Sequence, residues 1–532
     1  MPVLSVSFMA LLVGVFIVYT LFPQRHRWVV LLAASLIFYL AAGVGSLVCM
    51  LLTSVTVYAS ACAMQRVSDR QKAYFAANSL SREEKAAVRS RNRIRRRAWL
   101  IAALTVNLGL LCFFKYMSFA LAQLNTVAGW LGLAPARGAL RLIVPLGISF
   151  YTFQSVGYLA DVYGGHCRAQ TNYFRLLLFI SFFPQITQGP ISAYESLSET
   201  LYAGRTPQEK DLLWGFQRLL WGLMKKMVIA NTLAQSTAIL FEEFESYAGI
   251  AVLLGAFLYL IQLYADFSGY MDMMCGYCEM LGIRLTENFH RPFFAKSIPE
   301  YWRRWHISLG QWFRKYVYYP IGVSAPCLRL AKACRGRLGK HAAGCIPPTI
   351  ALLITWFLTG LWHGASWGYI VWGLFNGLFI ILSLWLAPLY ERARAALGMD
   401  EGSLFWKGFR ILRTFTIAAL LEVLPEVGSL GDGLRFWASI VRNRWLPGSL
   451  AELLPFVHLM NFNRTIGFLA AMGCVALLFI ASLMQRKRPV RAAFNALPVW
   501  AQMLALSALV MVIASLGVQA SWGAEGFMYA NF

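Results

Sequence analysis

Apolar stretches of about 17 residues or more recur along this chain from end to end, and they constrain its fold more tightly than anything else in it. A bilayer offers the backbone no water, so such a stretch must close its hydrogen bonds within itself as a helix. Of the 532 residues, 58% are hydrophobic and 14% charged, whereas an average soluble domain is roughly half apolar and a quarter charged. A soluble multidomain arrangement would leave helix after helix hydrophobic all round, which argues against it. The expectation is an all-α polytopic membrane protein of about 11–13 spans, with broken or re-entrant helices around a central cavity.

The net charge of +24 would suit a nucleic-acid binder if it formed one patch. It does not. Residues 66–97 hold eleven Lys or Arg and three acids, Asp69, Glu83 and Glu84, with apolar spans on both sides. A basic connection between spans is what the positive-inside rule expects of a cytoplasmic loop, and it suits contact with anionic membrane lipids. No nucleic acid partner is expected. Residues 5–22 form the first span, read as a retained helix rather than a removed signal, and Arg25, His26 and Arg27 follow it. Residues 28–64 are too long for one helix, and Gly43-Val44-Gly45 interrupts them as a hairpin. Both basic markers then agree on an N-terminus outside, in a multi-pass protein of the cytoplasmic (inner) membrane. Ser81-Arg82-Glu83-Glu84 reads as a capping start for a surface helix in the basic run.

Further spans are expected near 98–119, 142–163, 172–190, 212–236, 247–281, 346–363, 366–390, 407–424, 464–484 and 497–520. Residues 310–345 form a second basic cytoplasmic loop, and Arg486, Lys487, Arg488 and Arg491 mark a third. No repeat or Gly/Ser linker divides the chain, so residues 1–532 read as one membrane domain. Pro145, Pro184, Pro190, Pro292, Pro299 and Pro320 predict helix breaks, tolerated at membrane depth where protein or a water-filled cavity surrounds them. Cys275-Gly276-Tyr277-Cys278 spells a redox-like spacing but lies in an apolar helix and reads as two small buried residues. The His and Cys spacings resemble no zinc site, and no metal is expected.

Two histidine motifs carry the chemistry. Titratable groups are costly inside a bilayer and are functional candidates by default. Leu361-Trp362-His363-Gly364-Ala365-Ser366-Trp367 ends an apolar stretch that begins near Ile346. Its 17 steps carry the chain roughly 25 Å from the basic loop. There His363 is a candidate general base for an acceptor hydroxyl, with Trp362 as a water-excluding wall. The plainer reading is a histidine bonded between helices.

Glu300-Tyr301-Trp302-Arg303-Arg304-Trp305-His306-Ile307-Ser308-Leu309 sets His306 among two Arg and two Trp. Arg303 and Arg304 suit an anionic donor, and the plainer reading of the segment is an interfacial helix. Asp266 lies deep in an apolar run and needs a partner, a histidine or arginine of these motifs being the expected one. Gln154 and Gln185 are buried amides that either bond cavity contents or fasten helices. His290 belongs to a loop; His26, His166, His341 and His458 read as surface residues.

On these residues the chain resembles the membrane-bound O-acyltransferase family, in the branch of alginate O-acetyltransferases and the D-alanine-transferring proteins of teichoic acid synthesis. The matching segments include residues 145–154, 182–190, Lys225-Lys226, 265–272, 287–292, 300–309 and 361–367 with Gly373, in that order. The resemblance implies His363 as the catalytic histidine and His306 as the second functional one. It implies inner and outer funnels that meet near His363, with the acyl thioester arriving from the cytoplasm. Asn376 stands where relatives often carry histidine, and the Phe527-Met528-Tyr529-Ala530-Asn531-Phe532 tail matches the alginate branch only loosely.

The expected function is O-acetylation of an extracellular or cell-wall polysaccharide. Acetyl-CoA or another acyl thioester is the donor substrate, no cofactor is bound, and an outer-face acetyltransferase is the partner protein. Catalysis falls to His363 and His306; substrate contact falls to Asp266, Arg303, Arg304, Trp305, Trp362 and Gln154. The alternatives are D-alanyl transfer from a carrier protein to teichoic acid and, from another class, a lipid-linked sugar transporter.

Overall fold

A computed structural model describes residues 4–134, 142–400, 402–458, 461–486 and 488–517. The described residues form helices and connecting turns, with no strand among them. Eight helices are long and apolar enough to cross a membrane, and the shorter Val6–Leu21 is apolar too. The chain is an all-α, multi-pass membrane protein. Its contacts group into two compact units, Met1–Leu212 with Cys278–Thr286, and Leu213–Tyr277 with Glu287–Phe532.

The first unit opens with the expected hairpin. Gly43, at φ 117°, caps the Arg27–Ala42 helix and starts Val44–Ala77, a backbone conformation that side chains disfavour. Arg27 is not a solvated marker: it is buried and bonds the carbonyl oxygens of Gly204 at 3.2 Å and Arg205 at 2.9 Å.

The basic run 66–97 is helical almost throughout. The Val44–Ala77 helix runs into it, and Arg82–Leu111 starts inside it at Ser81 with a complete capping box to Glu84. Lys and Arg are good helix formers, so a charged run need not be a loop. The same holds for 310–345, which is helical except around Val323–Ser324. Residues 172–190 do not form one span. Tyr173–Ser181 stops after nine residues, and Pro184 sits in a four-residue helix, Phe183–Ile186. Nine residues rise only about 13 Å, less than half a hydrocarbon core.

In the second unit the Gly249–Met280 helix lies in a core shared with Tyr301, Trp305, Val423 and Phe436. Cys275 and Cys278 are buried and reduced. The Ala325–His363 helix kinks at Gly339 and carries Pro347 and Pro348 before running on to His363. It packs tightly on Trp367–Trp385. A Cβ on Gly360 would lie 2.4 Å from the Tyr369 carbonyl oxygen, and one on Gly373 2.4 Å from that of Trp356. Small residues let membrane helices approach this closely, where packing rather than hydrophobicity drives association.

His458 is buried, contrary to the surface reading. It adopts φ 58°, and its carbonyl accepts from Thr465 Oγ1 at 2.8 Å, which folds its turn back on the Phe462–Met484 helix. The aromatic tail at 527–532 lies outside the described residues.

Candidate active site

His363 is the last residue of its helix, and its imidazole is 3% exposed. The imidazole thus stands at the C-terminal, negative end of its helix dipole. Trp362 stands edge-on to it at 4.9 Å between ring centroids, Trp372 likewise at 4.9 Å, and Tyr369 lies nearly parallel at 6.3 Å. Gly364 makes room for that tyrosine, since a Cβ there would fall 2.2 Å from the Tyr369 ring. Ser366 caps the next helix through the Tyr369 amide and fixes the ring's origin.

His306 sits in a turn between Ile298–Arg304 and Ile307–Phe313, with φ 45° and ψ 52°. Histidine enters this left-handed region more readily than most residues, yet it stays there only when its surroundings insist. Here residues 287–292 insist. Asn288 accepts from the Ile307 amide through its carbonyl at 3.0 Å and from the Ser308 amide through Oδ1 at 2.8 Å. The His290 amide donates to the Arg304 carbonyl at 2.9 Å. His306 caps the positive end of a short helix and is 2% exposed. Burial pushes its pKa down to about 3, so it stays neutral.

The two imidazoles meet with ring centroids 6.3 Å apart. Trp362 borders both, and Phe267 closes the His306 side at 4.8 Å. The pair therefore stands in an aromatic enclosure, with His306 held neutral.

Asp266 precedes Phe267 and is 1% exposed. Lys226 fills the partner role foreseen for a histidine or arginine, at 2.5 Å. Lys225 pairs with Asp272, and Arg218 bridges Asp272 at 2.9 Å and Glu287 at 2.6 Å. Both lysines lie in a π-helical turn, Met224–Ala230, a distortion frequent at functional sites. Arg304 pairs with Glu300 at 2.5 Å, and Arg303 is exposed. Trp305 is packed into the core, stacked on Tyr301 at 5.5 Å and edge-on to Phe289 at 5.1 Å. Gln154 belongs to the first unit, where it donates to Gln185 Oε1 at 2.9 Å; Gln185 in turn donates to Ser192 at 2.6 Å. Both amides fasten that unit.

Sequence reasoning assigned no part to three features. Asn376 accepts from Trp302 Nε1 at 2.9 Å, which holds a ring packed edge-on to Trp372, and donates to the Trp372 carbonyl at 3.0 Å. Glu422 is a buried acid on the helix whose neighbours Leu421 and Leu424 pack on Trp372. Glu426 accepts from Tyr259 at 2.9 Å. An acid at the end of the apolar run 407–424 is the same signal that singled out Asp266.

A sequence model of the membrane-bound O-acyltransferase family matches residues 165–329, the stretch that includes His306. Over 434 residues the chain is 35% identical to the probable alginate O-acetylase AlgI of Pseudomonas aeruginosa, spanning 81% of this chain and 73% of that protein. The chain belongs to the membrane-bound O-acyltransferase family. The corresponding AlgI of Pseudomonas putida is 35% identical over 342 residues, 64% of each chain. A peptidoglycan O-acetyltransferase of Helicobacter pylori is 33% identical over 317 residues, 53% of this chain and 54% of that one. The chain thus spans just under two thirds of the Pseudomonas putida AlgI, 73% of the Pseudomonas aeruginosa one and about half of the peptidoglycan enzyme.

Proposed function

We propose that this protein moves an acetyl group from a cytoplasmic thioester, acetyl-CoA, across the cytoplasmic membrane for O-acetylation of an extracellular or cell-wall polysaccharide. The N-terminus faces outward, and an outer-face acetyltransferase receives the group or works alongside. The observation that carries the reading is the enclosed His306–His363 pair. The names of the alginate and peptidoglycan relatives favour acetyl over D-alanyl transfer.

In this mechanism His363 takes the proton from an acceptor hydroxyl as its oxygen attacks the thioester carbonyl. The C–O bond forms, the C–S bond breaks, and the departing thiolate collects the proton from the imidazolium. General base catalysis of this kind supplies about 10²–10⁴-fold. His306, held neutral, donates an N–H to the oxyanion that develops on the carbonyl oxygen. The Trp362, Trp372 and Phe267 rings keep competing water from the thioester.

The test supplies labelled acetyl-CoA to inverted membrane vesicles with polysaccharide and the outer-face partner enclosed. The proposal expects label inside, on polymer or partner. Label that enters only from a charged carrier protein would replace acetyl-CoA with D-alanylation chemistry. Movement of lipid-linked sugar without acyl turnover would replace the enzyme with a transporter.

A further inference from the structure

Away from the histidines, the second unit holds a cavity of about 580 Å³ between the Trp367–Trp385, Ala387–Ala396 and Leu404–Glu422 helices. Its two ends differ in chemistry. One wall is apolar and comes partly from a candidate membrane span, with Phe379 and Leu382 on it and Leu386 just after it; Ile417 faces them. Leu382 and Leu386 are 40% and 38% exposed, so this wall opens outward. The other end gathers Lys296, Arg394, Arg410 and Arg413 against a single acid, Glu391. On the Leu404–Glu422 helix the cations Arg410 and Arg413 lie between Ile417 and an aromatic pair, Trp406 stacked on Phe409 at 5.0 Å. The helix bearing Arg394 begins at Ala387, directly after the span ends, where a chain leaves the membrane.

Apolar wall and cation cluster follow one another, from Phe379, Leu382 and Leu386 to Arg394, in the order of a phospholipid's chains and headgroup. A soluble nucleotide would need a largely polar wall, and this one is mostly apolar. From this we infer that the cavity is a binding site for an anionic phospholipid, its phosphate among Arg394, Arg410, Arg413 and Lys296 and its acyl chains along Leu382, Leu386 and Ile417.

The site is tied to the chain segment that leads to His306. Arg413 donates to the Lys296 carbonyl at 3.0 Å, and Ser297, also on the cavity wall, caps the Ile298–Arg304 helix. A bound headgroup would fasten the start of that helix, so occupancy should show in stability as well as in binding.

The experiment uses the full chain, purified in detergent, titrated with phosphatidylglycerol or phosphatidylcholine and read by native mass spectrometry and thermal unfolding. Two variants accompany it. Arg394→Gln/Arg410→Gln removes headgroup charge and spares Arg413; Ser383→Phe fills the apolar end and keeps every cation. Near-surface cations contribute about 1 kcal/mol each toward anionic lipid, so a preference on the order of 10- to 100-fold for phosphatidylglycerol is expected. Both variants should lose most of it, together with the lipid-dependent rise in unfolding temperature. Equal binding of the two lipids, or an undiminished preference in either folded variant, overturns the proposal. Displacement of phosphatidylglycerol by micromolar coenzyme A also overturns it and turns the cavity into a donor site. If the charge variant fails to fold, the Ser383→Phe arm decides.

Discussion

The two histidines reach the same enclosure by opposite routes. His363 rides the end of a 39-residue helix, in regular conformation, at the negative pole of its dipole. His306 sits in a left-handed turn clamped by Asn288, at the positive pole of a seven-residue helix. Identical side chains so placed should not do identical work. The helix-end imidazole suits proton uptake; the clamped one suits fixed hydrogen-bond donation. The backing differs too. Behind His363 lie Trp372 and Tyr369, whereas behind His306 lies Phe267.

The largest expected effect is that of His363→Ala, which should lower acyl transfer by about 10²–10⁴-fold while the protein still inserts. A comparable loss of folded protein would instead make His363 structural. Next comes the buried Lys226–Asp266 pair. Lys226→Met leaves Asp266 buried without that lysine and should cost about 3–5 kcal/mol, seen as a lower unfolding temperature. The double change Lys226→Met/Asp266→Leu should recover much of it; no recovery would mean the pair is not the unit that matters.

His306→Ala should lower transfer by about 10²–10³-fold, the usual effect of removing an oxyanion donor. His306→Gln, which keeps an N–H, should retain more activity than His306→Ala, and equal losses would remove the donor role. His306 also predicts a pH dependence. Its folded pKa lies near 3, below the ordinary value of about 6.5. Below 6.5 the unfolded chain therefore binds a proton that the folded chain refuses, and stability falls as pH drops from there toward 3. His306→Gln should flatten that slope. The smallest effect belongs to Asn376→Leu, which breaks the bond to Trp302 and should cost about 1–3 kcal/mol. A change in transfer rate larger than the change in stability would give Asn376 a place nearer the chemistry.

Much of the fold was legible because bilayer chemistry is strict. The hairpin at Gly43, the cap at Ser81 and the break at Pro184 each follow from one residue's backbone chemistry. The basic stretches are more helical than the single surface helix expected at Ser81, since Lys and Arg favour helix. At the site, His363, His306 and Trp362 stood out as polar or aromatic groups in unusual places, and the structure brings them together. Arg304 did not declare its pairing with Glu300, nor Trp305 its place in a ring stack, since neighbours in sequence do not reveal which face is buried. The partners of Asn288 and Asn376 were out of reach for another reason. Their roles exist only once distant segments meet, and an amide carries no signal of its partner.

The central claim is that His363 gains the proton and His306 does not. The most direct measurement is the pH–rate profile of acyl transfer, at saturating acetyl-CoA, for wild type, His306→Gln and His363→Ala. The account predicts one acid-side limb in wild type, the same limb at a lower plateau in His306→Gln, and its disappearance in the residual activity of His363→Ala. A limb that survives His363→Ala and vanishes with His306→Gln would reverse the assignment and contradict the account.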